Sequence, residues 1–480
     1  MQKDQGIGED WLALWLALAI FVLALAPAIG IDLLGWAVKA KVWTDIGKSL
    51  STVSAAYEKI GAIGALIATY IFLLALLCVG VTFLKATVKR FAIAFTAVFW
   101  VSYACWLLGH WANFAVTTPA DMQKLGVGWS LRLTPEGGYI IALAAGLIVG
   151  NFFPRLAARL AEATRPELYI KIAIVLLGMK IGLIAAEKLS LATTVMFRGL
   201  AAIIEAYLIY WAVVYFVARK YFNFSREWAA PLASGISICG VSAAIATGAA
   251  IRARPIVPIM VSSLVVIFAV VEIVILPFIA QTFLAHEPMV AAAWMGLAVK
   301  TDGAALASGA ITESLILSSA AAEGIQYQPG WMLATTTTVK LFIDIFIGIW
   351  AFILAYIWAT RIEVRKDDKP RLAEIWERFP KFVVGYVLAF ALMLSMGLGA
   401  DKELLKTLNV ASGEADNFRQ LFFVMTFFSI GAVSNFGKLW EEGIGKLAAV
   451  YLLSLFGFII WVGLVISWLF FAGVKPPIAS

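Results

Sequence analysis

Apolar runs of about 20 residues recur along most of this 480-residue chain. A helix needs roughly 20 apolar residues to cross the hydrocarbon core of a bilayer. The runs predict about thirteen spans, near residues 11–30, 62–84, 91–109, 138–153, 169–187, 199–218, 228–250, 256–284, 290–310, 330–358, 379–397, 419–437 and 446–471. Charged residues make up 14% of the chain, where soluble domains have about 25%. The sequence therefore predicts an all-α polytopic membrane protein.

Other classes of protein receive little support from the composition. His110 and His286 lie at predicted segment ends, and Cys78, Cys105 and Cys239 have neither metal-ligand nor disulfide spacing. The sequence has no Walker motif and no Ser–His, zinc or di-acid pattern. The net charge of +7 is expected to reflect cytoplasmic loops and anionic lipid rather than nucleic acid. We expect a protein of the bacterial inner membrane that has no enzymatic activity, metal or cofactor.

Positive charges between the spans predict the orientation. Basic residues follow the second, fourth, sixth and tenth predicted spans: Lys85, Lys89, Arg90, Arg155, Arg159, Arg165, Arg219, Lys220, Arg226, Arg361, Arg365, Lys366, Lys369 and Arg371. The positive-inside rule places these residues in the cytoplasm, with the N-terminus inside and the C-terminus outside. Arg252 and Arg254 fall on the opposite side in this count. That exception leaves open that 290–310 is a re-entrant hairpin instead of a span.

A glycine- and serine-rich run at residues 234–244 interrupts the seventh predicted span. Backbone that leaves the helix at membrane depth must be covered by protein or by a watery cavity, so the run predicts a ligand site. Residues 429–434 match residues 237–242 at four of six positions, about five spans later. An odd number of spans inverts the second copy, which is the pattern of transporters whose paired interrupted segments meet near the bilayer midplane. The alternative is that both runs only allow close helix packing.

The predicted substrate site combines the two runs. Half-helix N-termini and small polar side chains at a helix break can hold an oxyanion. The candidate substrate-binding residues are Ser237, Cys239, Gly240, Val241, Ser242, Ala243, Ser434 and Asn435.

Charged residues inside the predicted spans are the other candidates, because a charge at membrane depth is costly. Lys340 and Asp344 lie one turn apart on one helix face. The functional interpretation makes Lys340 a substrate counter-ion or gate and Asp344 a proton or coupling-ion site, and the alternative is a mutually neutralised structural pair. Glu272 and Glu205 could each carry a proton or form hydrogen bonds within the bundle.

Several motifs of the chain resemble those of the YeiH-type family of proposed sulfate exporters over about residues 138–475. The matching runs are Gly178–Leu183, Ile238–Ala243, Gly296–Ala298 before Asp302, Val339–Leu341 and Phe379–Val383. The resemblance implies the fold of cation/proton antiporters and bile-acid symporters, with two inverted five-helix repeats and crossing broken helices. It also implies a core and a dimer domain, and elevator-type movement. It also adds Asp302 to the proton or coupling-ion candidates, beside Asp344 and Glu272. Thr301 and Asp344 depart from the family pattern, which commonly has His and Arg at these positions.

The expected organisation is an N-terminal three-helix scaffold or dimerisation region (1–137) followed by two transport repeats (138–284 and 285–480). The expected function is secondary transport that exports a small anion, namely sulfate or a related sulfur oxyanion or sulfonate. Protons or sodium are the expected coupling ions, and membrane lipid and a second copy of the chain are the expected partners. A cation/proton antiporter on the same fold is the first alternative, and a channel or membrane sensor is the second.

Overall fold

The computed structural model describes residues 8–84, 86–116, 119–131, 135, 137–254, 256–362, 372, 376, 379–435 and 445–479. Some of the charges that predict the orientation lie outside these ranges, namely Lys85, Arg365, Lys366, Lys369 and Arg371.

Helices dominate the described chain. They are α1 (Glu9–Ala24), α2 (Gly61–Phe83), α3 (Val88–Gly109), α4 (Ala112–Ala115), α5 (Pro119–Leu125), α6 (Gly137–Phe152), α7 (Pro154–Leu160), α8 (Pro166–Glu187), α9 (Leu189–Gly199), α10 (Ala201–Ile204), α11 (Trp211–Lys220), α12 (Arg226–Ser237), α13 (Ser242–Ala250), α14 (Ile256–Leu284), α15 (Pro288–Ala298), α16 (Asp302–Ala322), α17 (Trp331–Ile345), α18 (Ile347–Ile357), α19 (Lys381–Gly397), α20 (Lys402–Val433), α21 (Gly445–Ser454) and α22 (Ile460–Phe471). Three π-helical turns continue α10, α18 and α21, at Glu205–Tyr210, Trp358–Ile362 and Leu455–Ile459. Short 3₁₀ turns lie at Ala26–Ile29, Ile46–Lys48 and Ala55–Ile60.

Nine helical segments within the described ranges are long and apolar enough to cross a membrane. A tenth is obtained if α6 and α7 form one span, although they are bent by 115°. The chain is therefore a multi-pass, mostly helical membrane protein. The predicted total of about thirteen spans stays a prediction, since α12, α13, α15 and α19 are each shorter than 18 residues.

A two-stranded antiparallel sheet lies in the segment between α1 and α2. Its strands are β1 (Val38–Ala40) and β2 (Leu50–Thr52), and Val38 lies opposite Thr52. The Val38 N–H donates to Thr69 Oγ1 of α2, and Asn417 of α20 donates to the Val38 carbonyl, both at 2.9 Å. These bonds attach the hairpin to the helical bundle.

Helix α8 lies at the centre of the bundle and packs against α1, α19 and α20. It is apolar on every side, and 89% of its most apolar 18-residue window is buried. A helix that is hydrophobic all round requires neighbours on all faces, and α8 has them.

The N-terminal helix α1 belongs to this central packing. Glu9 forms an ion pair with Arg165 at 2.5 Å, and Asp10 forms one with Lys171 of α8 at 2.8 Å. Helix α3 packs against α6 and α20. The contacts of α1 and α3 therefore cross the predicted boundary at residue 137, and the division into one scaffold and two repeats stays a prediction.

The second predicted break, at residues 429–435, begins later than the sequence suggests. Helix α20 includes residues 429–433 and ends at Val433, Ser434 and Asn435 are not helical, and residues 436–444 lie outside the described residues. Its small residues serve close packing on α6, because a Cβ on Gly431 would lie 2.4 Å from the Leu143 carbonyl oxygen and one on Gly146 would lie 2.1 Å from that of Phe428. This is the helix-packing alternative that small residues also allow.

Candidate functional site

Two interrupted helices meet inside the bundle. Helix α12 ends at Ser237 and α13 begins at Ser242, while α15 ends at Ala298 and α16 begins at Asp302. The Gly240 N–H donates to the Lys300 carbonyl oxygen at 2.6 Å, so one break bonds directly to the other. Each break thus covers polar backbone of the other at membrane depth, as such backbone requires.

The close approach of the breaks depends on the absence of a side chain at Gly240. A Cβ there would lie 2.3 Å from Cγ1 of Val265 on α14 and 3.1 Å from Cγ2 of Thr301. The first distance is far below van der Waals contact, so a larger residue would push α14 or the second break away. Glycine at position 240 therefore allows the two breaks to approach each other closely.

A cluster of four buried side chains lies at the crossing. The Lys340 ammonium donates to the Ile238 carbonyl at 2.8 Å and lies 3.5 Å from Asp302 Oδ1 and 3.3 Å from Asp344 Oδ1. The Cys239 thiol donates to Asp302 Oδ1 at 3.1 Å. The four residues of the cluster are at most 2% exposed, namely Cys239, Asp302, Lys340 and Asp344.

The charges of this cluster compensate the ends of the half-helices. Lys340 lies at the carbonyl end of α12, where the helix dipole is negative, and Asp302 lies in the first turn of α16, where it is positive. Thr301 caps α16 by accepting from the Ala304 N–H at 3.1 Å. Among the described residues, no backbone or hydroxyl donor reaches the oxygens of Asp344, which depends on Lys340 instead.

Glu272 supports the second break from α14. Its carboxylate accepts from Tyr451 Oη at 2.5 Å and from the Lys300 backbone N–H at 3.3 Å. It is 1% exposed, so these two donors satisfy a charge that is closed off from water. The structure places this predicted proton site next to the crossing, in contact with its backbone.

Most predicted site residues come together. Cys239, Gly240, Asp302, Lys340, Asp344 and Glu272 form or touch the crossing, and Ser237, Val241, Ser242 and Ala243 flank the first break. Ser434 and Asn435 form hydrogen bonds with other parts of the described chain. The Ser434 hydroxyl donates to the Ile430 carbonyl at 2.7 Å, and the Asn435 amide donates to the Gly150 carbonyl of α6 at 3.1 Å.

The contact of the 238–241 break with residues 299–301 is the feature that sequence reasoning missed. The predicted pairing of that break with residues 429–435 stays a prediction, since residues 436–444 lie outside the described residues. A signal was present, because Lys300, Thr301 and Asp302 are three consecutive polar residues between Gly296 and Gly303. Tyr451, the hydroxyl partner of Glu272, had no signal beyond its position in an apolar span.

Comparison with known proteins identifies the family. The sequence model of the family described as conserved hypothetical protein 698 matches residues 132–464. The chain belongs to this family. The match confirms the resemblance to the YeiH-type proteins, which are also named UPF0324.

Relatives extend the similarity beyond the family match. A UPF0324 membrane protein of Nitrosomonas europaea is 40% identical over 477 residues, which cover 98% of this chain and 97% of the relative. An uncharacterized protein of Archaeoglobus fulgidus is 46% identical over 170 residues, covering 31% of this chain and 91% of that protein. A UPF0324 membrane protein of Nitratidesulfovibrio vulgaris is 28% identical over 373 residues, covering 75% and 56%. No solved structure matches the chain.

Proposed function

We propose that this protein is a secondary transporter that works by alternating access, with the Lys340 cluster as its ion-binding centre. The observation that carries the proposal is the buried group of Lys340, Asp302 and Asp344 at the crossing of two helix breaks. Ionisable residues at membrane depth mark ion or proton pathways more often than they mark structure. Half-helix ends that meet inside a bundle form the binding sites of many secondary transporters.

The substrate that we propose is a small anion, namely sulfate or a related sulfur oxyanion or sulfonate, and the proposed direction is export. The N-termini of α13 and α16 both lie at the crossing and can donate to an oxyanion. An inside-negative potential favours the exit of an anion. The bacterial inner membrane, elevator-type movement, a homodimer and the orientation of the termini belong to the same proposal and rest on the family resemblance and the loop charges.

The two carboxylates place a condition on anion binding. Asp302 and Asp344 outnumber the single ammonium of Lys340, so the ionised cluster carries a surplus negative charge. An anion can enter only when a proton neutralises one carboxylate, since charges at this depth are weakly screened. Proton binding and anion binding should therefore reinforce each other.

Cation/proton antiport is the second candidate, and the same surplus favours it. A cation and a proton would compete for the carboxylates, as antiport requires. The two candidates therefore predict opposite effects of proton binding: it strengthens the binding of an anion and weakens the binding of a cation.

Reconstituted liposomes separate the candidates. Purified protein is tested for flux of labelled sulfate, sulfite and a small sulfonate, with and without a pH gradient, and for proton flux driven by sodium or potassium gradients. We expect anion flux that Lys340→Met abolishes and that Lys180→Met, the same change at a half-exposed ion pair, preserves. Cation-driven proton flux without anion flux would favour antiport. If folded protein carries neither, the transporter proposal is wrong and a channel or sensor role replaces it.

A further inference from the structure

A second pair of buried titratable groups, Lys300 and Glu205, lies beside the same break. Lys300 is 1% exposed and Glu205 is fully buried. The Lys300 ammonium donates to the Leu297 carbonyl and lies 4.6 Å from the centre of the Tyr210 ring. The Tyr210 hydroxyl is hydrogen-bonded to Glu205 Oε1. Tyr210 therefore connects the two titratable groups, which form no direct ion pair with each other among the described residues.

The backbone around Tyr210 is specialised. Glu205 and Tyr210 begin and end one π-helical turn, and a second π-helical turn, Leu455–Ile459, lies against it. The Tyr210 hydroxyl donates to the Ile459 carbonyl at 2.9 Å, and Trp294 Nε1 donates to the Ile460 carbonyl at 2.8 Å. π-helical turns occur frequently at functional sites.

The space for the Tyr210 hydroxyl is provided by a missing side chain. A Cβ on Gly463 would lie 2.8 Å from the Tyr210 hydroxyl oxygen and 3.5 Å from Glu205 Oε1. The hydroxyl is thus held at a defined point between the carboxyl group and the Ile459 carbonyl.

The count of hydrogen atoms at this point decides which group holds a proton. A tyrosine hydroxyl has one hydrogen to donate, and both Glu205 Oε1 and the Ile459 carbonyl are acceptors if Glu205 is ionised. If Glu205 is protonated, its O–H donates to the Tyr210 oxygen and the tyrosine hydrogen goes to Ile459. Both bonds are then satisfied, whereas an ionised Glu205 leaves either its own contact with the Tyr210 oxygen or the contact between that oxygen and the Ile459 carbonyl without a hydrogen. Its other oxygen, Oε2, is buried and has no hydrogen-bond partner among the described residues.

Charge balance around the breaks points the same way. The buried carboxyl groups at the two breaks are Glu205, Glu272, Asp302 and Asp344, and the buried ammonium groups beside them are Lys300 and Lys340, while Cys239, Tyr210 and Tyr451 are neutral when they hold their protons. Lys171 also faces Asp302, but it is already paired with Asp10 and Glu167. Full ionisation therefore leaves uncompensated negative charge at membrane depth. Glu272 has two donors and can stay ionised, whereas Glu205 has one, the Tyr210 hydroxyl.

We propose that Glu205 is protonated in this conformation and is a second proton-binding site, with Lys300 as the charge that balances it after release. On release, the Glu205 O–H bond breaks, the proton leaves to water, and the Tyr210 hydrogen turns from the Ile459 carbonyl to Glu205 Oε1. Tyr210 acts as a positioning residue. A role in proton-coupled transport rests on the proposed function, whereas the protonation itself does not.

Infrared difference spectra of purified protein at neutral pH test the protonation. A protonated buried carboxyl group has a C=O stretching band that a carboxylate lacks. We expect wild-type protein to show a band that is lost in Glu205→Gln and retained in the matched control Glu272→Gln. In Tyr210→Phe the band should move to higher frequency, because the carboxyl O–H loses its acceptor, and Tyr451→Phe should leave it in place.

Two outcomes would overturn the proposal. One is a Glu205→Gln spectrum that equals the wild-type spectrum across neutral pH. The other, decisive where Glu205→Gln does not fold, is a Tyr210→Phe band at the wild-type frequency. Flux measurements then test coupling: Glu205→Gln should reduce the stimulation by a pH gradient, and the part that remains is the coupling proposed at Asp344. Loss of all flux in wild-type protein, with the infrared band present, would contradict the proposed function and leave the proton site standing.

Discussion

Replacement of Lys340 by methionine is the sharpest test of the charged cluster. The ammonium lies 3.3 Å from Asp344 Oδ1 and 3.5 Å from Asp302 Oδ1. At these distances each pair attracts by about 5 kcal/mol at an effective dielectric constant of about 20. Methionine is an unbranched side chain one atom shorter than lysine and has no charge, so both carboxylates and the Ile238 carbonyl lose their common partner.

The expected loss of stability is smaller than the sum of these attractions, because the pairs also bear a desolvation cost. Removal of one partner of a buried pair typically destabilises a protein by about 3–5 kcal/mol. In the double variant Lys340→Met/Asp344→Asn, the ionised cluster again has one surplus negative charge, as in the wild-type protein. The double variant should therefore recover a substantial part of the loss, and Asp344→Asn alone should cost less than Lys340→Met alone.

Unfolding by sodium dodecyl sulfate in mixed micelles, followed by tryptophan fluorescence, measures these free energies. Lys180→Met is the matched control: Lys180 is 30% exposed, and its partner Asp416 keeps Arg419 at 2.5 Å. The control should cost at most about 1 kcal/mol. If Lys340→Met is as stable as the control, or if the double variant is no more stable than the single one, the account of the cluster is wrong.

Two further predictions concern packing and the N-terminal helix. Gly240→Ala should lower the free energy of unfolding by about 1–3 kcal/mol through overpacking, because its methyl would lie 2.3 Å from a side chain of α14. Gly445→Ala meets nothing within 4 Å and should change little, so equal stabilities in the same titration would contradict the crossing. Asp10→Asn should increase hydrogen exchange in α1, measured by mass spectrometry, because Lys171 is only 7% exposed and Asp10 lies 2.8 Å from it. Unchanged exchange would mean that this ion pair does not hold α1.

Composition and local pattern were sufficient for the membrane class, the first helix break and the charged helix face. Apolar runs of spanning length have few other solutions, and a run such as residues 234–244 cannot continue a helix easily. Lys340 and Asp344 were recognisable because a charge is costly wherever it lies in a span, whatever the fold. These inferences depend only on neighbours along the chain.

The pairing of the breaks could not be predicted in the same way. Small residues interrupt the helix at 238–241, whereas at 429–433 they lie within α20 and allow its close contact with α6, and a local pattern cannot distinguish these two roles. The contact between Gly240 and Lys300 joins segments on either side of α14, so it follows from tertiary packing. Likewise, the ion pair between Asp10 and Lys171 joins parts of the chain that the sequence assigned to different domains.

The structural role of Lys340 and its proposed role in transport are linked by charge. Its ammonium both closes the carbonyl end of α12 and balances two carboxylates, so its departure during transport would leave negative groups unpaired at membrane depth. Another positive charge must then balance the carboxylates. A proton on Asp344 or a small cation supplies it, whereas an anion alone does not. On the proposed function, an anion therefore binds at the N-termini of α13 and α16 together with a proton. Anion flux that does not change with pH, in wild-type protein and in Asp344→Asn alike, would contradict this coupling.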